Sequence, residues 1–236
     1  MDHVAAAFTL ARPPAMATPL LLVVHGRSGG VIPPELNELA ATLATRRRTP
    51  VWLQALTAPL PAVLPSAPSP WPGAHQAEPL LTLVPLMLLP GAHVREDIPA
   101  VARHWGGLCG VAGIRRVPFV GAWPSWQQAL GAEVRQLAQA AAADAQPPLL
   151  LHHPLEGSLA DRYLNHLAQV SGASLRSTPY SADQLAELPL SLNAPALPLA
   201  LAANRLTDVL ADRVGPPLLL RPRFRAILQE RLEALP

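Results

Sequence analysis

The chain has 236 residues, half of them hydrophobic and 14% charged. That balance excludes disorder over the whole length and leaves room for one large domain or two of about 115 residues. All 18 basic residues are arginine and 16 residues are acidic, so the net charge is only +2. The short clusters Arg46 to Arg48 and Arg115 to Arg116 have no interleaved aromatics, which argues against a nucleic-acid surface.

The apolar runs Leu20 to Val24 and Leu80 to Leu89 fall well short of the ~20 residues of a membrane span, so none is expected. The segment from Ala5 to Ala17 lacks the cationic start of a secretory signal and is broken by Arg12, Pro13 and Pro14. Residues 1–18 therefore read as a flexible N-terminus. A single cysteine, Cys109, excludes an internal disulfide and fits a reducing, cytoplasmic setting. It reads as a small apolar residue rather than a nucleophile.

Pro19 to Val24 is a continuous apolar run that ends abruptly in His25-Gly26, the pattern of a strand buried on both faces in a parallel sheet. A polar loop follows (Arg27, Ser28, Gly29, Gly30). Next comes a helix with Leu36, Leu39, Ala40 and Leu43 on one face and Arg46, Arg47 and Arg48 at its end. Val51 to Leu56 reads as a second strand, and the seven prolines from Pro59 to Pro79 as a long loop. Leu80 to Leu89 is the third strand, irregular or edge-facing at Pro85. Asp97 reads as the N-cap of a helix with Pro99 in its first turn and Trp105 near its end. Val117 to Val120 is the fourth strand, and Ser125 to Ala143 a long helix.

After the linker Ala140 to Pro147 the order restarts. Pro148-Leu149-Leu150-Leu151 echoes Pro19-Leu20-Leu21-Leu22. Ser158 and Asp161 look like an acidic capping box opening a helix that turns Tyr163, Leu164 and Leu167 inward. Leu197-Pro198-Leu199 echoes Val84-Pro85-Leu86, and Leu218 to Leu220 before the helix from Arg223 to Leu235 echoes Val117 to Val120 before its helix. The echoes imply two related halves.

In parallel α/β sheets, ligands bind outside the carboxyl ends of the strands. His25 and His93 both occupy such ends, beside the small residues Gly26, Gly91 and Ala92 that let a bulky ligand approach. Two imidazoles facing one crevice suit metal coordination or proton transfer, because a neutral ring is both a ligand and a base. His152-His153 follows a strand too, but successive strand residues point to opposite faces, so at most one enters a crevice. His3, His75, His104 and His166 carry no assigned role.

The segment Leu88-Leu89-Pro90-Gly91-Ala92-His93-Val94-Arg95-Glu96-Asp97-Ile98-Pro99 resembles the most recognisable motif of the class II tetrapyrrole chelatases, the sirohydrochlorin cobalto- and ferrochelatases of the CbiX type. Leu21 to Gly26 is similar to that family's first strand and histidine, Val51-Trp52-Leu53-Gln54 to its second strand, and Val117 to Gly121 with Pro124 and Leu130 to its final strand and helix. The resemblance covers about residues 18 to 135 well and the second half only as an eroded copy.

What the resemblance implies is insertion of Co²⁺ or Fe²⁺ into sirohydrochlorin, on the path to sirohaem or a cobalt corrinoid, with His25 and His93 holding the metal and helping to remove pyrrole protons. The metal is then a substrate, and no organic cofactor is required. Because the macrocycle carries eight carboxylates, Arg27 and Arg95 are either clamps for its rim or ordinary surface arginines. Ser28 and Gly91 belong to the same substrate-binding set. Glu96 and Asp97 are either outer partners of His93 or carboxylates favoured at a helix start. Trp123 either stacks on the macrocycle or packs.

The chain departs from the family pattern in two places. His25-Gly26-Arg27-Ser28 replaces a His-Gly-Ser-Arg order, and Gln54 stands where an acidic third ligand is often found; an amide binds divalent metal less well. The expected architecture is α/β and chelatase-like, with two similar lobes, each a mainly parallel four-stranded sheet flanked by helices. Residues 19–145 form the lobe with the active site and 146–236 a degenerate second lobe, mainly a wall of the cleft. The whole is a monomer with two lobes or a homodimer. The alternative reading is a non-catalytic tetrapyrrole or metal carrier derived from such an enzyme.

Overall fold

A run of five aliphatic residues with no polar side chain has only one stable place in a sheet, its middle. Leu20–Val24 forms β1 there, buried along its whole length. The computed structural model describes residues 17–65, 81–110, 113–142, 145–190 and 194–236. His3, His75, most of the N-terminal segment and the second part of the proline-rich stretch lie outside these described residues. On one side β1 pairs with β2 (Val51–Ala55), and on the other with β3 (Thr82–Pro85), which carries β4 (Arg115–Arg116) on its outer edge. All pairings are parallel. The crossover segments include α1 (Pro34–Arg47) and α2 (Ile98–Cys109), and α3 (Pro124–Ala140) follows β4.

The second half builds a smaller parallel sheet in the order β6-β5-β7, from β5 (Leu149–His152), β6 (Ser174–Ser177) and β7 (Ala196–Pro198). Its helices are α4 (Ser158–Ser171), α5 (Ala182–Ala186), α6 (Arg205–Val214) and α7 (Pro222–Glu233). The architecture is thus α/β with two parallel sheets flanked by helices. Among the described residues the second sheet has three strands rather than four. Leu218–Leu220 is a 3-10 turn, not a strand. Leu218 and Leu219 do donate to the carbonyls of Ala200 and Leu201, but Pro216 and Pro217 have no N–H to extend the pairing and Pro222 opens a helix two residues later.

The first sheet is shorter than expected too. The expected strand Val117 to Val120 does not form: β4 is Arg115–Arg116, Val117 makes the last ladder bond, to Leu83, and Val120–Ala122 then turns as a 3-10 segment. The third strand ends at Pro85 rather than Leu89. Leu86 donates to Val23 of β1, so the Pro85 nitrogen faces the opposite side, where β4 has already stopped.

Alternate residues of β1 feed different cores. Leu20, Leu22 and Val24 join a cluster that runs through both halves and includes Leu39 and Leu43 of α1, Trp126 and Leu130 of α3, Phe224 and Leu228 of α7, and Leu150 and Leu197 of the second sheet. Leu21 and Val23 pack on the other face against Ile98, Val101 and Trp105 of α2. Leu151 packs likewise on Leu206, Leu210 and Val214 of α6. At about 1.5–3 kcal/mol for each fully buried aliphatic side chain, the shared inner cluster is what holds the two sheets together.

A hydrogen-bonded staple reinforces it. Tyr163 of α4 directs its hydroxyl at the carbonyls of Leu88 and Gly121, 2.8 and 2.9 Å away, and burial pushes that hydroxyl's pKa up. Gly121 must be glycine: a Cβ there would lie 1.9 Å from the Leu88 oxygen and 2.7 Å from the Tyr163 oxygen. Gly121→Ala is expected to cost about 3 kcal/mol, the upper end of overpacking. That would lower the melting temperature by about 6–12 °C in a chain of this size, measured by circular dichroism; an unchanged melting temperature would show that the staple is dispensable.

Candidate active site

Both candidate histidines are delivered by backbone geometry that the local sequence enforces. His25 directly follows β1, where the chain turns sharply at Gly26 with φ +78°. A Cβ on Gly26 would sit 2.6 Å from Thr57 Oγ1 and 2.7 Å from Ala55 Cβ, so only glycine lets the turn lie on β2. His93 opens a widened, π-helical turn, His93–Asp97, in which Ile98 donates to the His93 carbonyl. Pro99 explains the widening: in a regular α-turn its ring would press on the Arg95 carbonyl. The turn runs into α2 without a break. Asp97 has helical torsions and makes no cap, contrary to the sequence expectation.

Asp97 instead meets His93. Its Oδ2 lies 2.6 Å from His93 Nδ1. His25 Nδ1 lies 2.8 Å from the carbonyl of Gly26, which can only accept. In each ring, then, Nδ1 is the donor, and in the neutral ring this leaves the lone pair on Nε2, the tautomer a metal ligand needs. The two rings stand 4.8 Å apart between centroids and nearly perpendicular, at 76°. Both histidines are exposed.

The other expected site residues divide. Ser28 sits in a 3-10 turn beyond Gly26, and Arg95 and Glu96 ride the exposed side of the π-turn. Gly91 lies beside the second lobe, 3.5 Å from Leu155 measured from the place a Cβ would take. Arg27 is already engaged, bidentate with Asp208 of α6 at 2.8 and 2.9 Å, and that contact raises its pKa further. Any substrate carboxylate must compete with Asp208 for it.

One expectation is corrected and one alternative is decided in favour of packing. Gln54 is not at the rim: it points to the α2 face, 4% exposed, accepts from Trp105 Nε1 at 3.3 Å and donates to the Ala55 carbonyl at 2.8 Å. A carboxylate placed there would enter the core rather than meet a metal. Trp123 does not stack in the cleft. It is buried in the shared core, donates to the Pro118 carbonyl at 2.9 Å and lies under the Arg231 guanidinium. In the second half the expected Ser158–Asp161 capping box is absent: Gly157, with φ +96°, is the N-cap and Ser158 is already helical.

The structure also adds a residue. Leu86 donates to Val23 just as Leu199 donates to Leu151, and Leu56 donates to Val24 just as Thr178 donates to His152. In this register Val23 matches Leu151, Val24 matches His152, and His25 matches His153. His153 thus holds in the second sheet the place that His25 holds in the first. Its ring lies nearly parallel to Tyr180, 6.0 Å away, and burial, followed by the charges of His25, Arg205 and His152, pushes its pKa down. Cys109 is half-buried at the end of α2, where burial raises its pKa, so it offers little thiolate.

Two parallel sheets fused through one core and flanked by helices make a chelatase-like fold. The solved structures similar to it have few residues in common with this chain, and each match covers nearly all of this chain. CbiX, described as the terminal enzyme for sirohaem biosynthesis in denitrifying bacteria, superposes with a TM-score of 0.56 at 21% identity, over 92% of this chain and 98% of that one. The protein DR2241 from Deinococcus radiodurans, described as multi-domain with structural similarity to chelatases and two additional domains, gives 0.50 at 19% identity, over 93% of this chain and 55% of that one. The sirohydrochlorin chelatase SirB from Bacillus subtilis subspecies spizizenii, solved in complex with cobalt, gives 0.49 at 15% identity, over 93% and 96%. No family model and no curated protein matches the sequence.

No helix among the described residues is long and apolar enough to cross a membrane.

Proposed function

We propose that the protein inserts a divalent metal ion, Co²⁺ or Fe²⁺, into sirohydrochlorin, with the lobe of residues 19–145 carrying the active site and residues 146–236 closing it. One observation carries the reading. Two exposed imidazoles with both Nδ1 protons committed to acceptors stand 4.8 Å apart at the carboxyl edge of a parallel sheet. Among the described residues no three His, Cys, Asp or Glu side chains gather into a metal cage. Two nitrogen ligands and open positions suit an ion that must be handed on, whereas a closed four-ligand site would keep it. The macrocycle offers four nitrogens to the same ion, so transfer replaces weak, partial coordination by complete coordination.

Arg95 and, once released from Asp208, Arg27 are the cations available to the carboxylates of the rim. The tethering of Arg27 and the burial of Gln54 are the features on which the carrier reading would rest. Incubating the purified protein with sirohydrochlorin and either ion separates the two. Conversion of the absorption spectrum faster than the spontaneous reaction supports insertion; a red-shifted complex without turnover, with both ions, sinks it.

Asp97 supplies a finer test. It fixes the His93 tautomer, and loss of such a partner typically weakens metal binding or activity about 10–100-fold. Asp97→Ala is therefore expected to slow insertion by about tenfold or more while Asp97→Glu retains most of the rate. Equal rates in Asp97→Ala and wild type would show that the contact does not orient the ring.

A further inference from the structure

Metal insertion releases two protons, and the geometry of His25 and His93 leaves open which group receives them. Each ring already holds a proton on Nδ1, donated to Gly26 or Asp97, and each would hold the metal on Nε2. A ring in that state has no lone pair left. As long as both histidines carry the ion, the base must be another group.

The ladder register brings one to the equivalent edge of the second sheet. His153 takes the place of His25 at the end of β5, in the opposite lobe. Its Nδ1 is buried and makes no hydrogen bond among the described residues. A buried ring nitrogen without a partner is unfavourable, and such an orphan calls for an explanation. The ring is held flat, at 9° to Tyr180, whose backbone carbonyl accepts from Arg205. Burial, and after it the charges of His25, Arg205 and His152, none of them acidic, push its pKa down and so favour the neutral ring, the form that can accept a proton. A third metal ligand would serve less well as an account, since among the described residues His153 completes no three-group cluster of possible metal ligands.

We propose that His153 is the base that accepts the pyrrole N–H protons from the second lobe while His25 and His93 deliver the metal from the first. The proposal rests on the metal-insertion reading above. In each of two successive steps a pyrrole N–H bond breaks, its electron pair stays on nitrogen and forms the bond to the metal, and the proton passes to the imidazole of His153. The imidazolium returns the proton to water before the second step. No electrons are exchanged and no co-reactant is consumed.

The experiment compares wild type, His153→Ala and His153→Gln, the last keeping a polar side chain of similar size. Three quantities are measured: the rate of Co²⁺ insertion into sirohydrochlorin, Co²⁺ binding by the protein alone from its visible absorption, and the rate with added imidazole. Both variants are expected to insert about 100-fold more slowly, the low end of a general base's contribution, with Co²⁺ affinity within about twofold of wild type. Added imidazole is expected to restore part of the rate in His153→Ala but not in His153→Gln, whose side chain fills the space. A merely structural role would not produce that rescue. Wild-type rates in both variants, or a rate loss matched by lost Co²⁺ affinity and no rescue, would overturn the role of His153 alone. A wild-type protein that inserts neither ion overturns the metal-insertion reading, and this role with it.

Discussion

His25→Ala and His93→Ala are each expected to reduce metal insertion by about 100-fold or more while leaving the melting temperature within about 2 °C of wild type. The two halves of the expectation have different origins. Both side chains are exposed, and the His93 side chain keeps 46% of its surface in solvent, so truncation opens no cavity and substitutions there stay within about 0.5 kcal/mol. Activity falls because two nitrogens are the whole protein contribution to the ion, and removing either leaves a single imidazole that cannot hold it against water. The double variant is expected to be scarcely slower than either single one, since the pair acts as a unit. Initial rates from the absorption change, with melting curves alongside, check both halves. A full rate in both single variants would mean that the metal enters elsewhere. A low rate with a melting temperature reduced by 10 °C would mean that the histidines serve the fold.

Much of this site was legible in the sequence, because the residues that build it are punctuated by strong local signals. An uninterrupted aliphatic run ending in His25-Gly26 admits few readings, and the twelve residues from Leu88 to Pro99 carry both a histidine and the proline that shapes its turn. The losses trace to effects that local patterns do not contain. β6, Ser174–Ser177, is a polar edge strand with no apolar alternation to announce it. α6 went unread although Asn204 and Thr207 form a capping box before Leu206, Leu210 and Val214. Asp97 reads as an N-cap on composition, but the widened turn before Pro99 carries the helix through it and frees its carboxylate for His93.

In the second half the sequence echo and the hydrogen-bonded register differ by a single residue, and that difference decides which residue stands opposite His25. Matching Pro148-Leu149 to Pro19-Leu20 places Pro154 opposite His25, whereas the hydrogen bonds match Leu151 to Val23 and bring His153 there instead. One residue is enough because side chains alternate across a strand, so a shift of one exchanges the faces. The signal that fixes the register lies in the other strand pair: Pro85 and Pro198 are equivalent, and each is followed by a leucine that donates to β1 or β5. Two leucine-rich strands can be slid against each other without penalty in composition; two prolines cannot.

The largest loss of stability is expected from a residue that sequence alone left in an ordinary role, a cation at the end of a helix. Arg47, in the last turn of α1, is only 8% exposed, and its guanidinium donates to five carbonyls: Leu232, Glu233 and Leu235 at 2.8, 3.0 and 2.6 Å, Thr18 at 2.7 Å and Pro236 at 3.2 Å. Burial lowers its pKa, offset in part by the charge of Glu233, yet an arginine stays ionised at any pH the fold survives. Its planar fork thus joins Thr18, two residues before β1, to the end of α7, the helix whose Phe224 and Leu228 complete the core shared by both lobes. Arg47→Met keeps the volume of the stem but strands the carbonyls, which is expected to cost about 3–5 kcal/mol and lower the melting temperature by about 6–20 °C. Arg47→Lys is expected to recover little of this, because one ammonium cannot reach five acceptors spread across the fork. The neighbouring Arg46, 59% exposed and paired with Glu233 at 3.0 Å, provides the contrast: Arg46→Met is expected to change stability by less than about 1 kcal/mol. Thermal melts of the three variants decide the matter, and equal, small losses at both positions would mean that the ends of α1 and α7 are held by packing alone.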